Sequence, residues 1–318
     1  MVEDNTFHES CASHKLVITG QDEPPTEVYR GTVSSRNDIA TKHEEAVNII
    51  IQQVLACVSD DPFASITVIC DDTDVFVLLL YYYHVIRMTN TVTMESPIKG
   101  RAVIDVSKLL KNSDIVHELL PAHALSGCDT VAGCYGIRKG TVVNALRAGL
   151  SLSLLGSITS SIDSVISQVT AFMSYCYGQT NCSDSMSDTR LNVWASKIGK
   201  GSTSSNLSSI PPTKEAFAEN VKRAHFQACV WLSLQDNNHP SLDPTEFGWK
   251  RDEQSKTLQP VTLPDHIDLA PAFILKLIRC SCQSDTPCSI RMCSCKHANM
   301  ICTIYCNCYN RGCNNITT

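Results

Sequence analysis

The sequence predicts an α/β fold, with a parallel sheet flanked by helices over about residues 1–150, a mainly helical extension over 151–275 and a small cysteine-bearing tail over 280–313. Three observations lead there. Short β-branched runs alternate with segments of helical period between residues 41 and 110. A serine-rich stretch with two prolines, 201–212, has linker composition. Of the 17 cysteines, nine crowd between Cys280 and Cys313.

Bulk properties narrow the classes. A chain of 318 residues that is 43% apolar and 18% charged has ordinary globular composition, which excludes wholesale disorder and fibrous architectures. A net charge of −6 excludes coating of nucleic acid through bulk positive charge, so any such contact must come from a local patch. The first residues show no basic and apolar pattern of a secretory leader. The longest apolar stretch, Val75 to Ile86, falls well short of the ~18 residues of a membrane span. The expectation is an intracellular, soluble protein that does not engage membranes, whose thiols stay reduced and whose clustered cysteines point to metal.

Residues 1–40 are polar apart from the alternating run Lys15 to Thr19, read as an edge strand. Thr41-Lys42-His43-Glu44 has the form of a capping box and precedes Ala46, Ile49, Ile50, Val54, Leu55 and Val58 at helical spacing, predicting a helix over 42–57. Ser65 to Cys70 reads as a buried strand, ending at Asp71-Asp72-Thr73-Asp74 before a helix from Val75. Arg101 to Val106 repeats the strand pattern, with Ser107 as the cap of the next helix. Gly127, Gly133, Gly136 and Gly140 punctuate short helical segments, and residues 151–200 read as helix. Phe217, Val221, Ala224, Ala228 and Trp231 form a helical core stripe, and Asp252 to Pro271 reads as loop.

In the tail, C-x-C pairs begin at Cys280, Cys293 and Cys306, a repeat of 13 residues, and each pair is followed by one further cysteine, Cys288, Cys302 or Cys313. Structural zinc takes four ligands, so three Zn2+ need twelve positions; six terminal thiolates and three bridging ones, with Cys282, Cys295 and Cys308 completing the pairs, supply twelve from nine. C-x-C spacing lets neighbouring thiolates serve different metals. A disulfide-knotted tail and a copper-binding one are the alternatives, the odd count weighing against the first.

Two acidic features admit two readings each. Asp72 and Asp74, two apart at the end of a strand, would face the same way if the segment is extended and present carboxylates to Mg2+ or Mn2+; equally, Asp71 to Asp74 turn the chain and cap a helix. Asp129 in Gly127-Cys128-Asp129-Thr130 is a ligand candidate or a helix N-cap, with Gly127 a C-cap of the helix before it. Residues 136–150 hold Arg138, Lys139 and Arg147 and no acid, a local patch where backbone N–H groups around Gly136 and Gly140 could meet phosphates; a solvated face on an ordinary helix pair is the alternative.

The order of these blocks resembles the PIN-like nucleases of the flap-endonuclease type. It is similar, more closely, to a group of mobile-element-derived animal proteins with a cysteine-rich end. The matching blocks are His43-Glu44-Glu45-Ala46, Asp72 to Val75, His123 to Thr130, Pro211 to Thr213, Arg223 to Trp231 and Gly248-Trp249-Lys250. The tail resembles one repeat of the tesmin-type CXC domain of DNA-binding chromatin proteins. These resemblances imply a PIN-like domain in which Glu45, Asp72, Asp74 and Asp129 hold divalent metal. They also imply a loop at Gly136, Arg138, Lys139 and Gly140 that grips DNA, a zinc cluster, and a nuclear location.

Departures from the pattern fall at the chemistry. Val47 stands where the family has an aspartate, and no strand that would bring an amino-terminal aspartate precedes residue 15. Met292 occupies the family's aromatic position before the middle C-x-C, Tyr305 being the tail's aromatic elsewhere. Residues 280–318 carry three bases against Asp285, a balance of +2 that nine thiolates with three Zn2+ bring to −1. The sequence therefore predicts zinc binding ahead of DNA binding by the tail, and little or no cleavage. A non-catalytic interaction protein with a purely structural zinc cluster is the competing expectation.

Overall fold

The computed structural model describes residues 14–19, 24–40, 45–109, 115–179, 185–198, 209–235, 242–261, 263, 280–282, 288, 293–297, 300–302, 306–308 and 312–315. They form a mixed α/β structure with small sheets. The chain divides into two compact units, Met1–His117 with Trp231–His239, and Glu118–Val230 with Pro240–Thr318.

In the first unit, β1 (Leu16–Ile18), β2 (Thr26–Tyr29) and β3 (Thr32–Ser35) make an antiparallel sheet in that order. The expected edge strand is present; the hairpin after it was not foreseen. Arg30 and Gly31 both take positive φ, 49° and 76°, which is the two-residue turn whose twist suits a hairpin. Arg-Gly lacks the Asn-Gly or Asp-Gly signature, so the turn is silent in the sequence. Arg36 then ties this sheet to the following turn, its guanidinium lying 2.8 Å from Glu27 and 2.7 Å from Asp38. Both carboxyls are held below the usual range by those bonds.

The next elements are α1 (Ala46–Asp60), β4 (Ser65–Ile69), α2 (Thr73–Val85), β5 (Thr91–Glu95), β6 (Ile104–Asp105) and α3 (Val106–Leu109). β4 and β5 pair in parallel across α2, a βαβ unit, whereas β6 runs antiparallel to β5. The expected parallel sheet is therefore one parallel pair with an antiparallel strand added, in the order β4-β5-β6. β4 lies at an edge, so its outer residues remain in solvent; Ile69 is 70% exposed and Val68 alone is buried. The sequence reading of a fully buried strand is corrected accordingly, because an apolar run does not distinguish a central strand from an edge. α2 supplies the core with Val75, Leu78, Leu79 and Tyr82, all but fully buried at spacings of three and four. The Tyr82 hydroxyl donates to the Trp231 carbonyl at 2.6 Å and accepts from the Leu234 N–H at 3.2 Å, so this buried phenol is satisfied.

α1 begins at Ala46 with Glu45 as the preceding cap residue, four positions later than the capping box implies; Thr41 to Glu44 lie outside the described residues. Its buried face runs through Asn48, Ile51 and Val54, rotated from the expected stripe, and Ala46 is exposed. Ser107 is no cap either: α3 starts one residue before it, and its hydroxyl donates to Asp105.

The second unit is helical, with α4 (Leu119–Ser126), α5 (Lys139–Arg147), α6 (Ile162–Cys176), α7 (Met186–Ile198), α8 (Lys214–Leu232, its last two residues counted with the first unit) and a short α9 (Ser294–His297), plus the hairpin β7 (Trp249–Arg251) and β8 (Leu258–Pro260). α8 carries the predicted stripe, every member of which is 2% exposed or less. Its other faces are spent on loops. Asn220 donates to the Ala132 carbonyl at 2.9 Å, Gln227 accepts from the Thr130 hydroxyl at 2.6 Å, and Arg223 donates to the Gly248 carbonyl at 2.9 Å.

His225 accepts the Gly156 N–H on Nδ1 at 2.9 Å. The proton of the neutral ring must then sit on Nε2, 3.8 Å from the Cys229 sulfur, an arrangement that cannot deprotonate the thiol. Burial lowers the His225 pKa and pushes the Cys229 thiol up to about 12, so the pair is structural. The long connection from α5 to α6 is held in the same way, its Leu152, Leu154 and Gly156 N–H groups bonding to Glu118, Gln168 and His225.

Two sequence readings change here. Residues 199–208 lie outside the described residues, but Ile210 and Pro211 are buried, so the end of the presumed linker is part of the packing. The stretch read as loop from Asp252 contains β8.

Gly248 has φ +80°, and a Cβ there would stand 2.7 Å from the Glu219 carbonyl oxygen. Gly248→Ala is expected to destabilise the protein by about 2–4 kcal/mol, from the backbone conformation and the clash together. Urea denaturation measures this; an unchanged midpoint would mean the β7 turn does not seat against α8 in this way.

Candidate metal centre

Among the described residues the tail's buried cluster consists of Cys280, Cys288, Cys293, Cys295, Cys302, Cys306 and Cys308, with Cys282 and Cys313 packed against it half-buried. A segment this short cannot bury enough hydrocarbon to fold alone, and sulfur takes the place of a core.

The nine sulfurs fall into four overlapping quartets, each with all its sulfurs within 4.8 Å of one another: Cys280, Cys302, Cys306 and Cys308; Cys280, Cys282, Cys288 and Cys293; Cys280, Cys293, Cys295 and Cys302; Cys288, Cys302, Cys308 and Cys313. Close sulfur pairs stand 3.3 to 3.9 Å apart. A zinc–sulfur bond of ~2.3 Å gives a tetrahedral edge of ~3.8 Å, whereas a disulfide needs ~2.05 Å. All nine are free thiols, and the donor set and spacing fit zinc.

Each C-x-C pair falls within one quartet, and one member of each pair, Cys280, Cys293 or Cys308, also belongs to another quartet. The expectation that neighbouring thiolates serve different metals thus takes a particular form here: the pair shares a site and one partner reaches beyond it. Cys280 and Cys302 occur in three quartets each.

Local backbone explains part of the electrostatics. Cys293 precedes α9; burial raises its pKa, but the N–H groups of Lys296 and Cys295 and the Cys288 thiol outweigh that and bring it down to about 7. Cys302 is pushed up to about 12 by burial, against the Asn315 amide. Cys288, Cys295 and Cys308 are pushed far up by burial and thiol neighbours. Nine thiols at these separations cannot all ionise without a cation between them.

The acidic residues are differently placed. Asp72 is the N-cap of α2, its carboxylate accepting the Asp74 N–H at 2.7 Å. Helix therefore begins at Thr73, and the segment is not extended as the ligand geometry assumed. Asp74 is buried in the first turn of α2, and Asp71 is engaged by Arg101 at 3.1 Å and Ser96 at 2.8 Å. Glu45 precedes α1 and accepts from Asn48 at 3.3 Å; Val47 is half-buried in the first turn.

In the second unit, Gly127 ends α4 as expected, with φ 111°. Asp129 is exposed at the tip of a tight turn closed by Cys128 and Val131, and it caps no helix. Among the described residues, every set of three or more close metal-binding side chains is made of cysteine.

The basic loop is exposed at Gly136, Arg138 and Gly140, with Gly136 at φ 79°. Tyr135 beside it is 61% exposed, and its carbonyl accepts from the Tyr177 hydroxyl at 3.2 Å. Arg138 precedes α5 with no side-chain cap. Lys139 is occupied, its ammonium 2.8 Å from both the Gly127 carbonyl and His123 Nδ1, at the carboxyl end of α4. Sequence reasoning missed this role of Lys139, and also Asn315 beyond the cysteine motif; neither lies in a recognisable spacing.

Comparison with protein-family models, curated proteins and solved structures gives no match. No described helix is long and apolar enough to cross a membrane.

If Asp72 is a cap, Asp72→Ala should lower stability by about 1 kcal/mol, by the same amount with and without millimolar Mg2+. A cation site would instead make the parent, and not the variant, more stable as Mg2+ is added. Thermal melts of both proteins across a Mg2+ series separate the two outcomes.

Proposed function

We propose that this chain is a zinc-cluster protein that contacts nucleic acid, with a nuclease-like amino-terminal part in which Asp72 serves as a helix cap. The observation that carries the reading is the interior of the tail: nine cysteines in overlapping quartets, with close sulfur pairs 3.3 to 3.9 Å apart, and a buried cluster that among the described residues is made of cysteine. Zinc bound there supplies the positive charge that nine thiolates require and fixed tetrahedral angles. The chain's part is to hold the thiols close, lower the first of them with the N–H groups after Cys293, and share sulfurs between sites. Five cysteines belong to more than one quartet, so sulfurs stand where they could be shared between metal ions, as nine ligands for three zinc ions require.

Metal analysis of the purified full chain should give three Zn2+ per chain, with the nine tail thiols protected from alkylation until a chelator is added. One zinc or none would remove the cluster reading.

Nucleic-acid contact is supported by the exposed loop of Tyr135, Gly136 and Arg138, a patch that the net charge of −6 conceals. Arg138 is the residue to test, because Lys139 also holds α4 and its loss would confuse folding with binding. Arg138→Glu should weaken DNA binding and reduce the slope of log affinity against log salt by about 1–2. Fluorescence anisotropy over a salt series measures both; an unchanged slope would place the contact elsewhere or nowhere on this chain.

A further inference from the structure

The cysteine motif ends at Cys313, yet the residue that draws its turns together lies two positions further on. Asn315 accepts the Cys302 N–H on its carbonyl at 2.8 Å, and its side-chain amide donates to the Met300 carbonyl at 2.8 Å and to the Cys302 sulfur at 3.3 Å. Its own N–H donates to the Cys313 sulfur at 3.3 Å. Residues 300–302 are thus clasped on one side by a single asparagine, and Cys302 is one of the two most widely shared sulfurs in the cluster.

The other side of the same segment meets the helical part of the second unit. Met300 packs with Val193 and Trp194 of α7 around Ile210, which is 5% exposed. The stretch carrying Ile210 is itself fastened to α7, the Pro211 carbonyl by Arg190 and the Ser209 hydroxyl by Lys197 at 3.1 Å. This satellite core is separate from the main stripe of α8, and the tail contributes one of its four members.

We propose that residues 300–302 couple the metal cluster to α7, with Asn315 and Met300 acting as positioning residues for Cys302. The inference rests on the zinc-cluster reading. Metal binding fixes Cys302 and hence Met300 against Trp194; docking of Met300 orders Cys302 in advance of the metal. Linkage makes the two effects equal in free energy. The amide of Asn315 adds a hydrogen bond to a sulfur that has to carry negative charge, the outer-sphere role that orients and stabilises metal ligands.

The test uses the full chain loaded with zinc and a chelator titration, following metal release and tryptophan emission together. The chain has three tryptophans, Trp194, Trp231 and Trp249, so Trp194→Phe isolates the first. Zinc release should shift the parent's emission to the red, and the shift should be absent in Trp194→Phe. Asn315→Ala and Met300→Ser should each weaken zinc binding about 10–100-fold, and Met300→Leu should restore it. If the chain releases three zinc ions while Trp194 emission stays unchanged, or if Met300→Ser binds zinc as the parent does, the coupling is wrong though the cluster stands. A chain that binds no zinc overturns both.

Discussion

An interior built of thiolates holds together only if a cation neutralises their charge, and the zinc reading of the carboxy-terminal part rests on that condition. Burial and mutual proximity raise Cys288, Cys295, Cys302 and Cys308, while the N–H groups that follow Cys293 lower it. Left to themselves the thiols would stay largely protonated and would offer little cohesion, since sulfur contacts replace only a fraction of the apolar burial a core needs. On the zinc-cluster reading, cations shared among these sulfurs would turn the same crowding into a source of stability, and metal binding would become folding free energy.

A second dependence runs through α8. Its apolar stripe is ordinary, but Asn220, Arg223, His225 and Gln227 each reach a loop backbone or a loop hydroxyl. These loops are fixed here by polar side chains on a rigid helix as well as by their own buried apolar residues, Val131, Leu152 and Leu155. This explains why the blocks around His123–Thr130, Arg223–Trp231 and Gly248–Lys250 occur together in one sequence: they are parts of one packing arrangement. Gly133 belongs to it as well, since a Cβ there would lie 2.7 Å from the Ser126 carbonyl oxygen. Conformational demands of this kind account for these residues without invoking chemistry.

Legibility followed physical range. The tail was readable because ligand spacing is local and thiols have few other reasons to repeat at 13 residues. The stripe of α8 and the apolar face of α2 were readable because period and burial coincide. β5 was missed, since Thr91 to Glu95 buries only Val92 and Met94, and its partner lies across α2. The β2–β3 hairpin was missed for want of a turn signature at Arg30-Gly31. The acidic segment was ambiguous in principle: Asp72 and Asp74 are two apart in both readings, and only the start of the helix at Thr73 decides between ligand and cap. Lys139 and Asn315 act through tertiary contacts that no local pattern encodes. Part of the resemblance, including the strand sought before residue 15, lies outside the described residues.

X-ray absorption at the zinc edge of the metal-loaded full chain tests the central claim most directly. The account predicts four sulfur scatterers per zinc at ~2.3 Å, a zinc–zinc vector from shared thiolates, and no nitrogen or oxygen in the first shell. A mixed shell containing imidazole or carboxylate ligands, or isolated zinc with no metal neighbour, would contradict a tail whose metals are held by nine cysteine sulfurs, some of them shared.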